Sequence, residues 1–176
     1  TNKELKLVFI EKAYHLHFLK KYKASHHYFF ESTKLTNDLS EKLSIGHDEV
    51  LLFNKKRDFI NGYQASLKYL KLADIHYPEN PNSKIKFSLI ISKTIIKTLI
   101  KLITPIKNKK QDIPKTQQKT FEIIYSSLEM GIGSCNDLLL LSQVLQGYYL
   151  SMSYKTSSFL YYSKTSFLLF LSYINF

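Results

Sequence analysis

Six histidines and one cysteine are the side chains with the most chemistry to offer: His15, His17, His26, His27, His47, His76 and Cys135. A metal site on a helix needs ligands three or four residues apart, so that they share a face. His15 and His17 point apart on a helix, as do His26 and His27, and no His-Glu-x-x-His or Glu-x-x-His pattern occurs. They read as scattered surface histidines. Cys135 falls where a helix is expected to start, a place that lowers a thiol pKa. The sequence sets no base beside it, so a structural thiol is expected, and a single cysteine forms no internal disulfide. Gly131-Ile132-Gly133 is an isolated Gly-x-Gly, not a phosphate-binding loop, and no Gly-x-Ser-x-Gly elbow occurs. The acidic residues are dispersed. The expectation is a non-enzymatic protein with no catalytic residue, metal or cofactor.

Charge is the next feature. Lys and Arg number 25 against 14 Asp and Glu, a formal net charge of +11. That excess raises the question of nucleic acid or an anionic membrane. Arg57 is the only arginine, however, and arginine is the better residue for bidentate phosphate and base contacts. The richness in Lys, Ile, Phe, Tyr and Ser matches an AT-rich genome, which accounts for part of the charge.

The elements that must carry these residues are helical. Only 5 Gly and 4 Pro punctuate 176 residues, too few for a β-sandwich or barrel. About eight helices are predicted. Residues 3–20 carry Leu5, Val8, Phe9, Ala13, Leu16 and Leu19 at three- and four-residue steps. Residues 22–38 carry Tyr22, Ser25, Phe29, Ser32 and Leu35, the serines keeping that face thin. Ser44 to Asp48 reads as a break, followed by a helix at about 48–60 with Val50, Phe53 and Ile60 inward. Asn61-Gly62 reads as a turn before a helix at 63–77 with Tyr63, Ser66, Leu70 and Ala73 inward, ended by Pro78. Ser83 is a candidate cap for residues 84–103, where Lys86, Lys93, Lys97 and Lys101 form one solvated stripe. Ile85, Leu89, Ile95, Ile96, Leu99 and Ile103 lie mainly opposite. Residues 104–115 read as an exposed Lys- and Pro-containing linker. Helices follow at about 116–131, at 135–152 with Ser134 and Asp137 as a capping arrangement, and at about 155–173. Residues 156–176 approach the length that spans a bilayer, but Lys164 and many Ser and Thr favour a buried closing helix.

Two stretches align at a fixed offset. Tyr22, Ser25, Phe29, Ser32 and Asn37 occupy the same relative places as Tyr63, Ser66, Leu70, Ala73 and Pro78. Aromatic, small, large, small and loop-former describe the second helix of a packed pair, in which small residues admit the first helix. This pattern resembles a degenerate tetratricopeptide repeat. Phe9, Ala13 and Leu16 match the first helix of that family's unit; Asn54 and Arg57 depart from it, and Tyr154, Ser157 and Tyr161 form a weaker third match. The offset is longer than the family's unit of ~34 residues, and residues 79–150 lack the pattern.

The expected fold is all-α: a single domain of antiparallel helix pairs in a tetratricopeptide-like stack or helical bundle. The pairs cover about 3–38 and 47–78, with helical continuation over 83–103 and 116–173. The resemblance implies a protein–protein interaction module, an adaptor or assembly partner. Carried over by position, its binding face comprises Ile10, Tyr14, His17 and Phe18, then Leu51, Lys55, Asp58 and Phe59. The aromatics would supply anchor area and the charges orientation. Thirteen Tyr and twelve Phe exceed the needs of one core, which points to an interface with another protein or with a second copy. The alternative is a basic helical module on an anionic surface, membrane lipid or nucleic acid; a helix with an Ile face and a Lys stripe suits such a membrane. Thr1 in place of a start methionine is expected of a processed or cut chain. That leaves a cytoplasmic or a periplasmic or secreted location open, and an integral membrane protein is not expected.

Overall fold

The computed structural model describes residues 1–103, 112–133, 136–154, 165 and 168. Over these residues the chain forms seven α-helices and no strand: α1 (Asn2–Phe18), α2 (Tyr22–Lys34), α3 (Leu39–Lys55), α4 (Phe59–Leu72), α5 (Lys84–Ile103), α6 (Lys115–Gly133) and α7 (Asp137–Ser151). The all-α class is as expected. Nearly all of the expected eighth helix at 155–173, the head of the linker and Cys135 lie outside the described residues. No helix among the described residues is long and apolar enough to cross a membrane.

The chain falls into two compact units. The first holds residues 1–76 and 115–130, with α1 packed on α2, α2 on α3, and α3 on α4. Its core includes Ala13, Phe29, Ile45 and Leu52, with Ile10, Tyr14 and Tyr28 packed against them. Ser25 is buried as the thin face requires, and its hydroxyl donates to the Ala13 carbonyl at 2.8 Å, tying α2 to α1. Burying each such aromatic or leucine contributes about 1.5–3 kcal/mol.

Two expected breaks are helical instead. Ser44 to Asp48 lies inside α3, and Asn61-Gly62 lies inside the first turns of α4. Both glycines serve as contact points. A Cβ on Gly46 would sit 2.1 Å from Cγ of Tyr69, and one on Gly62 would sit 2.5 Å from the Met130 methyl carbon. The chain turns at Lys56 to Asp58, where no glycine or proline marks it. Arg57 takes a left-handed conformation (φ 56°), as do Lys20 after α1 (φ 60°) and Asp74 after α4 (φ 59°). In each case the next residue's amide bonds the carbonyl five back: Lys21 to Leu16, Asp58 to Phe53, Ile75 to Leu70. This closure satisfies the last carbonyls of a helix. It also ends α4 at Leu72, before Pro78 can act. Asp38 and Asp58 cap α3 and α4, accepting from the amides of Ser40 and Asn61.

The second unit holds residues 77–114 and 131–176, and in it α5 packs on α7. Asn136 caps α7, accepting from the Leu139 amide at 3.0 Å; Ser134, the expected cap, lies outside the described residues. The inward face of α5 differs from the expected one: Phe87, Ile91, Thr94 and Thr98 are buried, while Ile85, Leu89, Ile95, Ile96, Leu99 and Ile103 are exposed. The threonines tolerate burial because Thr94 and Thr98 hydroxyls donate to the Ile90 and Thr94 carbonyls, each at 2.8 Å. Lys101 is not part of a solvated stripe. Its ammonium donates to the Tyr149 carbonyl at 3.2 Å and the Ser153 hydroxyl at 2.5 Å, and burial lowers its pKa.

Candidate functional site

In the first unit, side chains of α1 meet side chains of α3 and the turn after it in the same order along the chain. Lys6 pairs with Glu41 near their N-termini. Tyr14 feels the charge of Asp48 midway. Near the C-termini the Phe18 ring lies 5.8 Å below the Lys56 ammonium, and the His17 ring meets Phe53 at 5.0 Å. Of the sequence-derived binding residues, Ile10, Tyr14, His17 and Phe18 sit on α1 and Leu51 and Lys55 on α3, whereas Asp58 is the cap of α4 and Phe59 its first residue, because the chain turns at Lys56 to Asp58 and the expected helix does not run on to 60. Phe18 and Lys55 are exposed, Phe18 by 64%. Tyr14 is half-buried, its ring edge-on to Phe29 at 5.3 Å; burial first, and Asp48 second, raise its pKa. Ile10, Leu51 and Phe59 are half-buried; Asp58 is half-buried and occupied as the α4 cap.

His17 differs from the rest. It is fully buried between Tyr22 and Phe53, with both centroids at 5.0 Å, and neither ring nitrogen has a hydrogen bond of ordinary geometry among the described residues. Burial, and then the Lys56 charge, lower its pKa, against weaker opposing effects of Glu49, the Leu52 backbone and Asp58. It supplies core, not surface. Sequence reasoning missed Asp48 and Lys56, which lie beside the two aromatics. No local sequence signal marks them; the register shows in the left-handed Lys20 and Arg57, thirty-seven residues apart. That spacing sets α1 against α3 one turn differently from the aromatic-small-large alignment.

Two polar clusters hold this unit together. Glu49 on α3 is fully buried. It accepts from the Tyr69 hydroxyl at 2.7 Å, and its other oxygen lies 2.5 Å from His26 Nδ1. The Lys68 ammonium sits 2.6 Å from His26 Nε2. An ammonium only donates, so Nε2 accepts and the proton on Nδ1 faces Glu49. Lys68, His26, Glu49 and Tyr69 thus form one relay joining α2, α3 and α4.

The second cluster has Ser126 Oγ at 3.0 Å from His47 Nε2 and Glu122 at 3.6 Å from His47 Nδ1. Lys119 binds Glu122 at 2.6 Å, and Asn54 donates to the Ser126 carbonyl at 2.6 Å. The order serine, histidine, carboxylate is that of a hydrolytic triad. Acyl transfer also needs donors, often backbone amides, aimed at an oxyanion. Ser126 is buried mid-helix, where neighbouring amides are committed to helix bonds. The arrangement joins α3 to α6. Burial lowers the His47 pKa and raises that of Asp48. Among the described residues, no three His, Cys, Asp or Glu side chains are placed to hold a metal ion.

Comparison with models of known families, with curated proteins and with solved structures finds no match to this chain.

Proposed function

We propose that the chain is a protein–protein interaction module of stacked, antiparallel helix pairs, similar in plan to a tetratricopeptide repeat, and that the α1/α3 face receives the partner. The observation that carries this reading is the same-direction register of α1 and α3, with Lys6–Glu41, His17–Phe53 and Phe18–Lys56 in order along them. First helices of successive pairs line the concave side of such stacks, so their outward side chains form one continuous surface. The thirty-seven-residue correspondence of the two helix ends supports the same plan. Phe18 is the anchor, flanked by Tyr14 and Leu51; Lys55, Lys56 and Asp48 orient the partner. An exposed Phe18 with half-buried Tyr14 beside mixed charge fits a protein partner better than a phosphate backbone.

A photoreactive benzophenone side chain placed at position 18 tests this in the native cell. The expected result is one discrete heavier adduct, absent with the label at exposed His76 and lost when Tyr14→Ala is added. Equal labelling from positions 18 and 76 would remove the assignment.

A further inference from the structure

In the second unit, α5 presents an apolar stripe to the outside. Ile85, Leu89, Ile96, Leu99, Ile100 and Ile103 recur at three-, four- and seven-residue steps, so they share one side of the helix. Each is at least half exposed, from Leu99 at 51% to Ile103 at 80%. The opposite side, Phe87, Ile91, Thr94 and Thr98, is the one buried. Among the described residues, the stripe therefore remains after the helix has made its packing contacts. At 1.5 Å per residue it runs the full helix, about 30 Å. Lys86, Lys93 and Lys97 line one edge, roughly a quarter-turn away. Lys86 and Lys93 make no ion pair among the described residues, and Lys97 has only the Tyr149 ring, at 5.9 Å. No Asp or Glu occurs in α5.

We propose that this face of α5 is a docking surface for an anionic lipid bilayer. Apart from the exposed Ser92 between Leu89 and Ile96, the stripe is aliphatic, and it carries no aromatic anchor of the kind that dominates protein interfaces. A bilayer needs no matching pockets. It offers an apolar layer a few ångströms beneath negatively charged headgroups, which suits a straight Ile/Leu row with lysines along its edge. The lysine stems reach past the apolar level while their ammonium groups stay among the headgroups. The charge complementarity is one-sided, since every charge on α5 is positive. The chain would lie on such a surface and not cross it, in keeping with the absence of a spanning helix among the described residues.

Flotation of the full chain with vesicles of phosphatidylcholine, alone or mixed with phosphatidylserine, tests the proposal. The chain is expected to float with the mixed vesicles and stay behind with phosphatidylcholine alone. Each of Lys86→Gln, Lys93→Gln and Lys97→Gln is expected to weaken binding about five-fold. Ile96→Glu is expected to abolish it with the far-ultraviolet dichroism unchanged, which separates loss of docking from loss of fold. A benzophenone side chain at position 96 then identifies the occupant: an adduct with lipid supports the proposal. A dimer adduct or an adduct within the chain overturns it, as does flotation that ignores phosphatidylserine or survives Ile96→Glu.

Discussion

Tyr69→Phe removes one oxygen from the relay around Glu49 and leaves the ring in place over Gly46. The lost bond runs from a buried hydroxyl to a fully buried carboxylate at 2.7 Å. A hydrogen bond to a charged group contributes about 1.5–3 kcal/mol, so Tyr69→Phe should cost about 2 kcal/mol. Glu49→Leu orphans the Tyr69 hydroxyl and the His26 Nδ1 proton and should cost about 3 kcal/mol. Once Glu49 is gone the hydroxyl has no acceptor to lose, so the double variant should recover about 1–2 kcal/mol of the summed single costs. Urea unfolding followed by the helical dichroism signal measures all three. With a urea slope of about 2 kcal/mol per molar, Tyr69→Phe should lower the midpoint by about 1 M at unchanged slope. Strict additivity of the two substitutions, or a Tyr69→Phe midpoint equal to that of the parent, would refute the relay.

Three other substitutions test the packing. Gly46→Ala would normally stabilise a helix interior by about 1 kcal/mol, but the Tyr69 ring occupies the Cβ position, so a net loss of about 2 kcal/mol is expected by thermal unfolding. Lys20→Gly and Arg57→Gly relieve left-handed strain and should each raise stability by about 0.5–1 kcal/mol in the same assay. His17 and His47 have folded-state pKa values below their unfolded value, so the unfolded chain binds more protons between the two. Stability is then expected to fall as pH drops below about 6.5. Asp48, shifted upward, acts with the opposite sign in the carboxylate range, where stability falls as pH rises. His17→Phe should raise stability near neutral pH by about 1 kcal/mol and reduce the acid-side loss; an unchanged profile would contradict the buried, unpartnered ring.

What the sequence revealed depended on whether a local rule or a neighbour controlled the residue. The helical class was legible because long stretches lack Gly and Pro and repeat at helical spacing. Val50, Phe53, Tyr63, Ser66 and Leu70 are buried as that spacing predicts. Gly46 and Gly62 misled because their small size serves Tyr69 and Met130, neighbours that no local rule reveals. Lys20, Arg57 and Asp74 hid three chain reversals because hydrogen bonds, not glycine, hold them left-handed. In α1, Leu5, Val8 and Leu19 are exposed while His17 is buried, since the close Ala13–Ser25 approach sets the helix rotation. In α5 apolar residues nearly encircle the helix, and contact with α7 and, at Phe87, with Tyr77 selects the Phe87–Thr98 side. Of the proposed binding face, Tyr14 and Phe18 follow from their positions in the pattern, whereas Asp48 and Lys56 emerge only from the contacts between α1 and the α3 part of the chain.

Hydroxyl-radical footprinting of the purified chain and of the chain in its own cells tests the binding face most directly. The α1/α3 assignment predicts that Phe18 is oxidised readily in the purified protein and protected in the cell, while exposed His76 reacts alike in both. Equal oxidation of Phe18 in the two settings, with His76 as the matched control, would contradict it.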